Sequence, residues 1–403
     1  MIISQKILRN VSLTAHPQGC ARYVEDQIKL VKQLSSGTDA GRYRAADVRL
    51  MPKRVLVVGG STGYGLSSRI VAAFAGGSGT INVSFEREPS ENKTATPGWY
   101  QTAVFERLAR AEGLVASSVF GDAFSDDVKQ RAADEVAAVF GQIDLMVFSV
   151  ASPLRIDAKT GVTYRSVIKP VGEAYEALSV DVFSGIMSKA VVEPADEAQV
   201  AETVKVMGGE PWMDWVSYLS ARGLLARGFT TVSYSYIGPE VTYPIYREGT
   251  IGKAKEDLER TAHELSGMLV PLGGRAFVAV NKALVTRASA VIPVVPLYIA
   301  LLYRVMKERG LHEQCTHQMY RLFNDRLYAG RQVPVDPQGR IRMDDWEMSE
   351  AVQREVQERW AHLKEGDVLV EGDLEGFRQE YANIHGFGYP SIDYEVDVDP
   401  RVV

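Results

Sequence analysis

Between residues 53 and 150, short β-branched runs alternate with stretches whose apolar residues recur at helical spacing, and this alternation constrains the fold more than any other feature of the chain. VLVVGG follows Lys53 and Arg54 and ends in glycine. STGYGLSSRIVAAFAGG then sets Leu66, Ile70, Ala73 and Phe74 along one helix face. TINVSFE (80–86) reads as a second strand, 99–112 as a helix and LVASSVFGDAF as holding a third strand. Residues 126–140 read as a helix, and IDLMVFSVASP as a fourth strand ending near Val150. Strands alternating with helices imply a parallel sheet with right-handed crossovers. The pattern resumes with a strand at 229–236, a helix at 250–268, and RAFVAVNKALVT as a strand running into a loop. Residues 155–228 read as an insertion with helical stretches and a GGEPWMDW turn. The chain becomes more polar after residue 330 and ends in the acidic IDYEVDVDP.

The glycine cluster Gly59-Gly60-Ser61-Thr62-Gly63-Tyr64-Gly65 sits where the first strand turns into a helix. Glycines there let the backbone approach a pyrophosphate, and the helix N-terminus offers free N–H groups and partial positive charge. The spacing is closer to the loose glycine pattern of short-chain dehydrogenases and reductases than to GxGxxG. The expected fold is therefore α/β, a Rossmann-type parallel sheet flanked by helices. We expect one extended domain over 1–403. Within it, 1–52 is an N-terminal extension, 53–154 and 229–289 the dinucleotide-binding core, 155–228 and 290–330 a helical portion, and 331–403 a C-terminal extension.

Several functional classes are set aside by composition. The net charge is −6 with no basic run, so nucleic acid is not an expected partner. Two distant cysteines, Cys20 and Cys315, give no disulfide framework and suit a reduced, cytoplasmic protein. The N-terminus lacks a signal-peptide core, and the apolar stretch 290–306 carries two prolines and an arginine, so no membrane span is expected. His312, Cys315 and His317 in HEQCTH lack a second ligand pair at zinc spacing and read as a surface helix end, so no metal is expected. His16, before Pro17, reads as structural. Gly-x-Ser-x-Gly is absent.

Glu86 closes the second strand, where an acid accepts hydrogen bonds from the adenosine ribose and repels a 2′-phosphate, favouring NADH; Arg87, next to it, would act the other way. Asp122 after the third strand is placed to meet the adenine, or to serve as a loop or capping aspartate. Val150 and Ala151, ending the fourth strand, would lie against the cofactor or pack in the core. SYSYIGPEVTYPIYREGTIGKAKEDL (233–258) holds Tyr234, Tyr236, Tyr243 and Tyr246, then Lys253 and Lys255. A phenol over a substrate carbonyl and a lysine on the nicotinamide ribose are the working pair of such reductases. No Tyr-x-x-x-Lys occurs, which leaves Tyr246-x6-Lys253 and Tyr246-x8-Lys255. Ile251, Lys255 and Leu258 share a helix face, and the apolar pair turns that face inward. Lys253 instead lies at i+4 spacing from Asp257, a solvated ion pair. Lys255 is thus the better candidate. Tyr236 and Tyr234 share a strand face, so either could reach the site, while Tyr243 beside Pro244 reads as packing.

GGSTGYGL, VSFER, GDAFSD, FSVASP, the Tyr246-x8-Lys255 pair, LVTRASAVIP and PLYIALLYRVMKERGLHE together resemble the FabV-type enoyl-acyl-carrier-protein reductases and the related trans-2-enoyl-CoA reductases, over essentially the whole chain. The resemblance implies an enlarged Rossmann-type fold with a helical substrate-binding portion, and a monomeric enzyme of fatty-acid synthesis that uses NADH to saturate the C2=C3 bond of a trans-2-enoyl thioester carried on acyl-carrier protein or CoA. By motif, it implies that Gly59, Gly60, Ser61, Thr62, Gly63 and Tyr64 hold the pyrophosphate region and that Phe85 and Glu86 flank the adenosine. Asp122 and Ala123 would meet the adenine, Val150 and Ala151 would line the nicotinamide side, and Leu284, Val285 and Thr286 would cover it. It further implies Tyr236 as a substrate contact, Tyr246 as proton donor and Lys255 as cofactor ligand. The segment 292–303 would wall the acyl pocket, or be apolar for packing alone. The competing readings are a short-chain-type ketoreductase or alcohol dehydrogenase, and a non-catalytic NADH sensor.

Overall fold

The computed structural model describes residues 1–8, 11–37, 42–287, 289 and 292–403. Ala288, Ala290 and Val291, within the LVTRASAVIP motif and at the start of the expected 290–330 portion, lie outside the described residues. Seven parallel strands form the central sheet: β1 (Arg54–Val58), β2 (Gly79–Ser84), β3 (Ala116–Phe120), β4 (Ile143–Phe148), β5 (Leu225–Ser235), β6 (Arg275–Val280) and β7 (Ile341–Arg342). Their order is β3-β2-β1-β4-β5-β6-β7. It reverses between β1 and β4, and the carboxyl ends of strands at such a reversal open the crevice in which α/β sheets bind ligands. Val58 and Ser233 both lie in register with Phe148, so the residues that follow these three strands share one edge of the sheet.

Both faces of the sheet are covered, so β1 is apolar on both sides, whereas β2 buries Thr80, Asn82 and Ser84 along one face. In β1, Val55 and Val57 pack into one core and Leu56 and Val58 into the other. The first core lies under α1 (Pro17–Ser35), α2 (Gly63–Gly76), α3 (Pro97–Ala111) and α9 (Cys315–Arg321); the second lies under α4 (Asp126–Val139), α6 (Glu210–Ala221) and α7 (Thr250–Leu269), with α5 (Glu197–Met207) packed on α7. A third core surrounds α8 (Val295–Glu308), which is covered by α10 (Glu350–Ala361), α11 (Leu374–Ile384) and the strand Tyr175–Val180. All residues of α8 from Val295 to Tyr303 are buried, which is why that stretch is apolar all round. Pro296 sits in its first turn, where a missing N–H costs nothing. Val294, just before it, has φ 69°, the only non-glycine among the described residues in the left-handed region.

The insertion departs from the expected helical portion. Its first half is two antiparallel hairpins, Leu154–Ile156 with Thr163–Arg165 and Tyr175–Val180 with Met187–Val192. Only its second half is helical, as α5 and α6. These strands are short and half-exposed, so they lack the apolar runs that marked the sheet strands. The GGEPWMDW segment is not a turn but the start of α6, with Pro211 in the first helical turn and Trp212 and Trp215 fully buried. Gly209 is needed there because a Cβ would lie 1.9 Å from Thr261 Oγ1 on α7. Trp212 Nε1 donates to Thr231 Oγ1 of β5 at 2.8 Å. Trp212→Phe, which leaves a void and removes that donor, is expected to cost about 2 kcal/mol in urea unfolding.

HEQCTH is not a surface helix end. Cys315 opens α9 and is buried, His312 Nε2 lies 3.2 Å from Glu380, and the His317 ring packs on Tyr43. Desolvation lowers the pKa of His317 to about 4. Among the described residues, no group of His, Cys, Asp or Glu is arranged to hold a metal ion. His16 is buried and N-caps α1, its Nδ1 accepting from the Gly19 amide at 3.4 Å. Cys20 and Cys315 are both free and buried. Among the described residues, no helix is long and apolar enough to cross a membrane.

Candidate active site

The turn after β1 is shaped for close backbone approach. Gly59 has φ 92°, and a Cβ there would lie 2.1 Å from the Ser149 carbonyl oxygen. The Gly60 amide donates to Asn82 Oδ1 at 2.9 Å, pinning the turn to β2. α2 then begins at Gly63. Its N-cap Thr62 makes no side-chain capping bond, and its first turn carries no acid. A Cβ added to Gly63 would meet only the Thr286 methyl, at 3.9 Å. Free amides and the positive helix end therefore face open space, which fits a pyrophosphate. Tyr64 takes a different position: its hydroxyl donates to the Lys282 carbonyl at 2.6 Å and ties α2 to the loop after β6.

Glu86 stands just past β2, its side chain 4% exposed. Oε1 accepts from Ser61 Oγ at 2.6 Å and lies 3.6 Å from Arg287 Nη1. Oε2 is buried with no partner among the described residues, an acceptor suited to a ribose hydroxyl. Gly98 gives the carboxylate room, since a Cβ there would lie 2.2 Å from Oε1. The cation facing Glu86 is thus Arg287, not Arg87, which is exposed and bound through its backbone to Thr96. Phe85, beside it, is 82% exposed. Asp122 Oδ1 accepts from the Phe124 amide at 2.9 Å, a loop aspartate; the helix cap is Ser125. The Ala123 carbonyl accepts from Trp215 Nε1 at 2.9 Å. Val150 is half-buried and Ala151 exposed, directly after the Ser149 carbonyl that abuts Gly59. Leu284 and Val285 are buried, and Thr286 lies over the start of α2. The Val285 amide donates to Tyr303 Oη at 3.0 Å, and Ser289 Oγ donates to the Leu284 carbonyl at 2.6 Å, which fixes this loop.

At the end of β5 the four tyrosines separate. Tyr234 points toward α2, its hydroxyl 2.6 Å from Ser68 Oγ and its ring edge-on to Tyr64. Tyr236 and Tyr246 meet edge-to-face with ring centroids 4.9 Å apart. The Tyr246 hydroxyl has no hydrogen-bond partner among the described residues, and burial pushes its pKa to about 12, so the phenol keeps its proton at neutral pH. Lys255 turns inward from α7 and donates through Nζ to the Tyr234 carbonyl at 3.0 Å. Burial lowers its pKa to about 8, with Glu259 opposing. Lys253 faces outward, as expected, but pairs with Glu256 at 3.1 Å; Asp257 instead accepts from the Gly209 amide and pairs with Arg260. One turn of helix makes i+3 as close as i+4, and Asp257 is taken by another helix.

Behind Tyr236 lies a buried polar cluster that sequence reading did not find. Tyr236 Oη is 3.3 Å from Glu347 Oε1, which also accepts from Tyr298 Oη at 2.7 Å, while Oε2 accepts from the Ala283 amide at 2.7 Å. Lys282, also buried, donates to the Ala283 carbonyl at 3.0 Å. Lys282 was findable, because it follows β6 at the ligand-binding edge. Glu347 lies in the polar DDWEMSE stretch and gives no local signal of burial.

Residues 93–328 match the family described as trans-2-enoyl-CoA reductase catalytic region, and residues 2–91 match the NAD(P)H binding domain of trans-2-enoyl-CoA reductase. An enoyl-acyl-carrier-protein reductase (NADH) of Flavobacterium johnsoniae is 49% identical over 402 residues, covering 100% of this chain and 98% of the relative. That of Coxiella burnetii is 48% identical over 401 residues, covering 99% and 96%. The crystal structure of Treponema denticola trans-2-enoyl-CoA reductase in complex with NAD superimposes with TM-score 0.93 at 47% identity, covering 99% of this chain and 98% of that one. The Clostridium acetobutulicum trans-2-enoyl-CoA reductase in complex with NADH gives 0.92 at 41%, with the same coverage. A third match, over 335–398, is described as an enoyl reductase FAD binding domain. Its residues do not fit a flavin dinucleotide. Its two helices, α10 and α11, open on acidic first turns (Glu350; Glu375, after the capping Asp373) that would repel a pyrophosphate, and they close the core around α8. From the full-length identity, the matched catalytic region and the shared fold, the chain belongs to the trans-2-enoyl-CoA and enoyl-acyl-carrier-protein reductase family.

Proposed function

We propose that this protein uses NADH to reduce the C2=C3 bond of trans-2-enoyl thioesters to the saturated acyl thioester. The observation that carries this reading is the Tyr236–Tyr246 pair together with the Lys255 ammonium bound to the Tyr234 carbonyl at the end of β5, on the same sheet edge as the open N-terminus of α2. Gly59 and Gly60, their own amides bound to Val83 and Asn82, shape the turn; the amides of Ser61, Thr62, Gly63 and Tyr64 hold the pyrophosphate, and Glu86 takes the adenosine ribose through its unpartnered Oε2. Phe85, Asp122 and Ala123 surround the adenine. Val150, Ala151, Leu284, Val285 and Thr286 enclose the nicotinamide end, and Lys255 holds its ribose. When bound, NADH supplies a hydride to C3. Tyr246 and Tyr236 donate hydrogen bonds to the thioester oxygen as negative charge develops there, and Tyr246 delivers the proton to C2. The buried segment 292–303 walls the acyl chain. The carrier is acyl-carrier protein or CoA. The free, buried thiols suit a cytoplasmic protein. A monomer is inferred from the family resemblance and is checked by sedimentation.

NADH oxidation with crotonyl-CoA but not with acetoacetyl-CoA is the expected result; the reverse would make the protein a ketoreductase. Glu86→Ala should weaken NADH binding about tenfold and narrow the preference over NADPH, because Arg287 would remain to meet a 2′-phosphate. Steady-state kinetics with both cofactors reads this, and an unchanged NADH KM would remove Glu86 from the ribose.

A further inference from the structure

The phenol of Tyr236 carries one hydrogen, and its oxygen lies 3.3 Å from Glu347 Oε1. An ionised Glu347 accepts that hydrogen and leaves none for a substrate oxygen. The other contacts of Glu347 run one way. The Ala283 amide donates to Oε2 at 2.7 Å, and Tyr298 donates to Oε1 at 2.7 Å. Gln353 Nε2 in turn donates to Tyr298 Oη at 3.0 Å. Reversing the Tyr298 contact would leave the Tyr298 hydrogen with no acceptor among the described residues, so the contact with Tyr236 is the one that reverses. We propose that Glu347 works protonated, as a positioning residue whose carboxyl hydrogen goes to the Tyr236 oxygen and so frees the Tyr236 hydroxyl to donate to the thioester oxygen. Donors then run in one direction from Gln353 through Tyr298 and Glu347 to Tyr236, each hydroxyl polarising the next. This rests on the reading of Tyr236 as a substrate contact.

The surroundings keep the proton on Glu347. Its carboxyl is fully buried. The ionisable groups around it are Lys282 from the loop after β6, Tyr298 of α8, Tyr236 with Tyr246 beside it, Tyr64 of α2, and Asp344, which is bound to Arg342. Burial, helped by Asp344, raises the pKa of Glu347 to about 7 against the opposing Lys282, Tyr298 and Ala283. Lys282 makes no hydrogen bond to it; its ammonium goes to the Ala283 carbonyl and over the Tyr303 ring at 4.9 Å.

The test is the pH dependence of kcat/KM for crotonyl-CoA at saturating NADH. Glu347 is protonated below its pKa, so activity should fall as pH rises through about 7. Glu347→Gln keeps an N–H donor to Tyr236 and cannot titrate. It should stay within about threefold of wild type at low pH and lose that limb, leaving any Lys255 limb in place. Tyr298→Phe removes a hydrogen bond that favours the ionised form, so it should move the limb to higher pH. A limb unchanged in both variants overturns the proposal. Tyr236→Phe should be slow and lack the limb. If it has wild-type rates, the reading of Tyr236 fails and takes this inference with it. If it is slow while Glu347→Gln keeps the limb, only the role of Glu347 fails.

Discussion

Tyr246→Phe is expected to lower kcat for crotonyl-CoA by about a hundredfold or more, because one hydroxyl would supply both the acid and part of the oxyanion stabilisation. The structure makes this substitution clean. The hydroxyl has no hydrogen-bond partner among the described residues, so its loss strands no buried group. The ring stays in place edge-on to Tyr236, so packing and Tm should be nearly unchanged. NADH affinity, read by fluorescence titration, should also hold. With a pKa pushed up to about 12, Tyr246 itself should contribute no limb to a pH profile in the neutral range. Turnover within a few-fold of wild type would transfer the proton to Tyr236 or to water.

Lys255→Met separates binding from stability. Loss of a charged donor to the nicotinamide ribose is expected to weaken NADH binding about tenfold to a hundredfold. Lys253→Met, which removes an exposed pair with Glu256, should change it less than about twofold. The stability effect has the opposite sign. The folded pKa of Lys255 is about 8, below its ordinary 10.5, so the folded state disfavours the charge. Stability should therefore rise with pH between those two values in the wild type, and at neutral pH the uncharged methionine should raise Tm. For the same reason, NADH affinity in the wild type should fall as pH rises through about 8, where the ammonium is lost. Calorimetry and NADH titration on one pair of samples test both halves. A lower Tm with unchanged NADH binding would make Lys255 a structural residue.

The parallel sheet was readable because β-branched runs such as RVLVV pack on both faces, so burial left an unbroken local signature. The 154–192 hairpins were not: they are short, half-exposed and bounded by ordinary turns, and a nearby helical segment masked them. Glu86 could be placed because the end of the second strand fixes its position relative to the glycine turn. Its partner could not, because Arg287 comes from a loop two hundred residues further on, whereas Arg87 was merely adjacent. The inward turn of Lys255 followed from the helix period, but the ion-pair partner of Lys253 required knowing that Asp257 is occupied by α6.

By itself, the order of residues determined what neighbours along the chain fix: the strands and helices of the parallel sheet, the glycine turn, and the faces of α7. The tertiary structure alone decided which distant groups share a low-dielectric interior. Glu347, Lys282, Tyr298 and Tyr236 come from four separate segments, and burying them together, rather than any local pattern, sets which of them holds a proton.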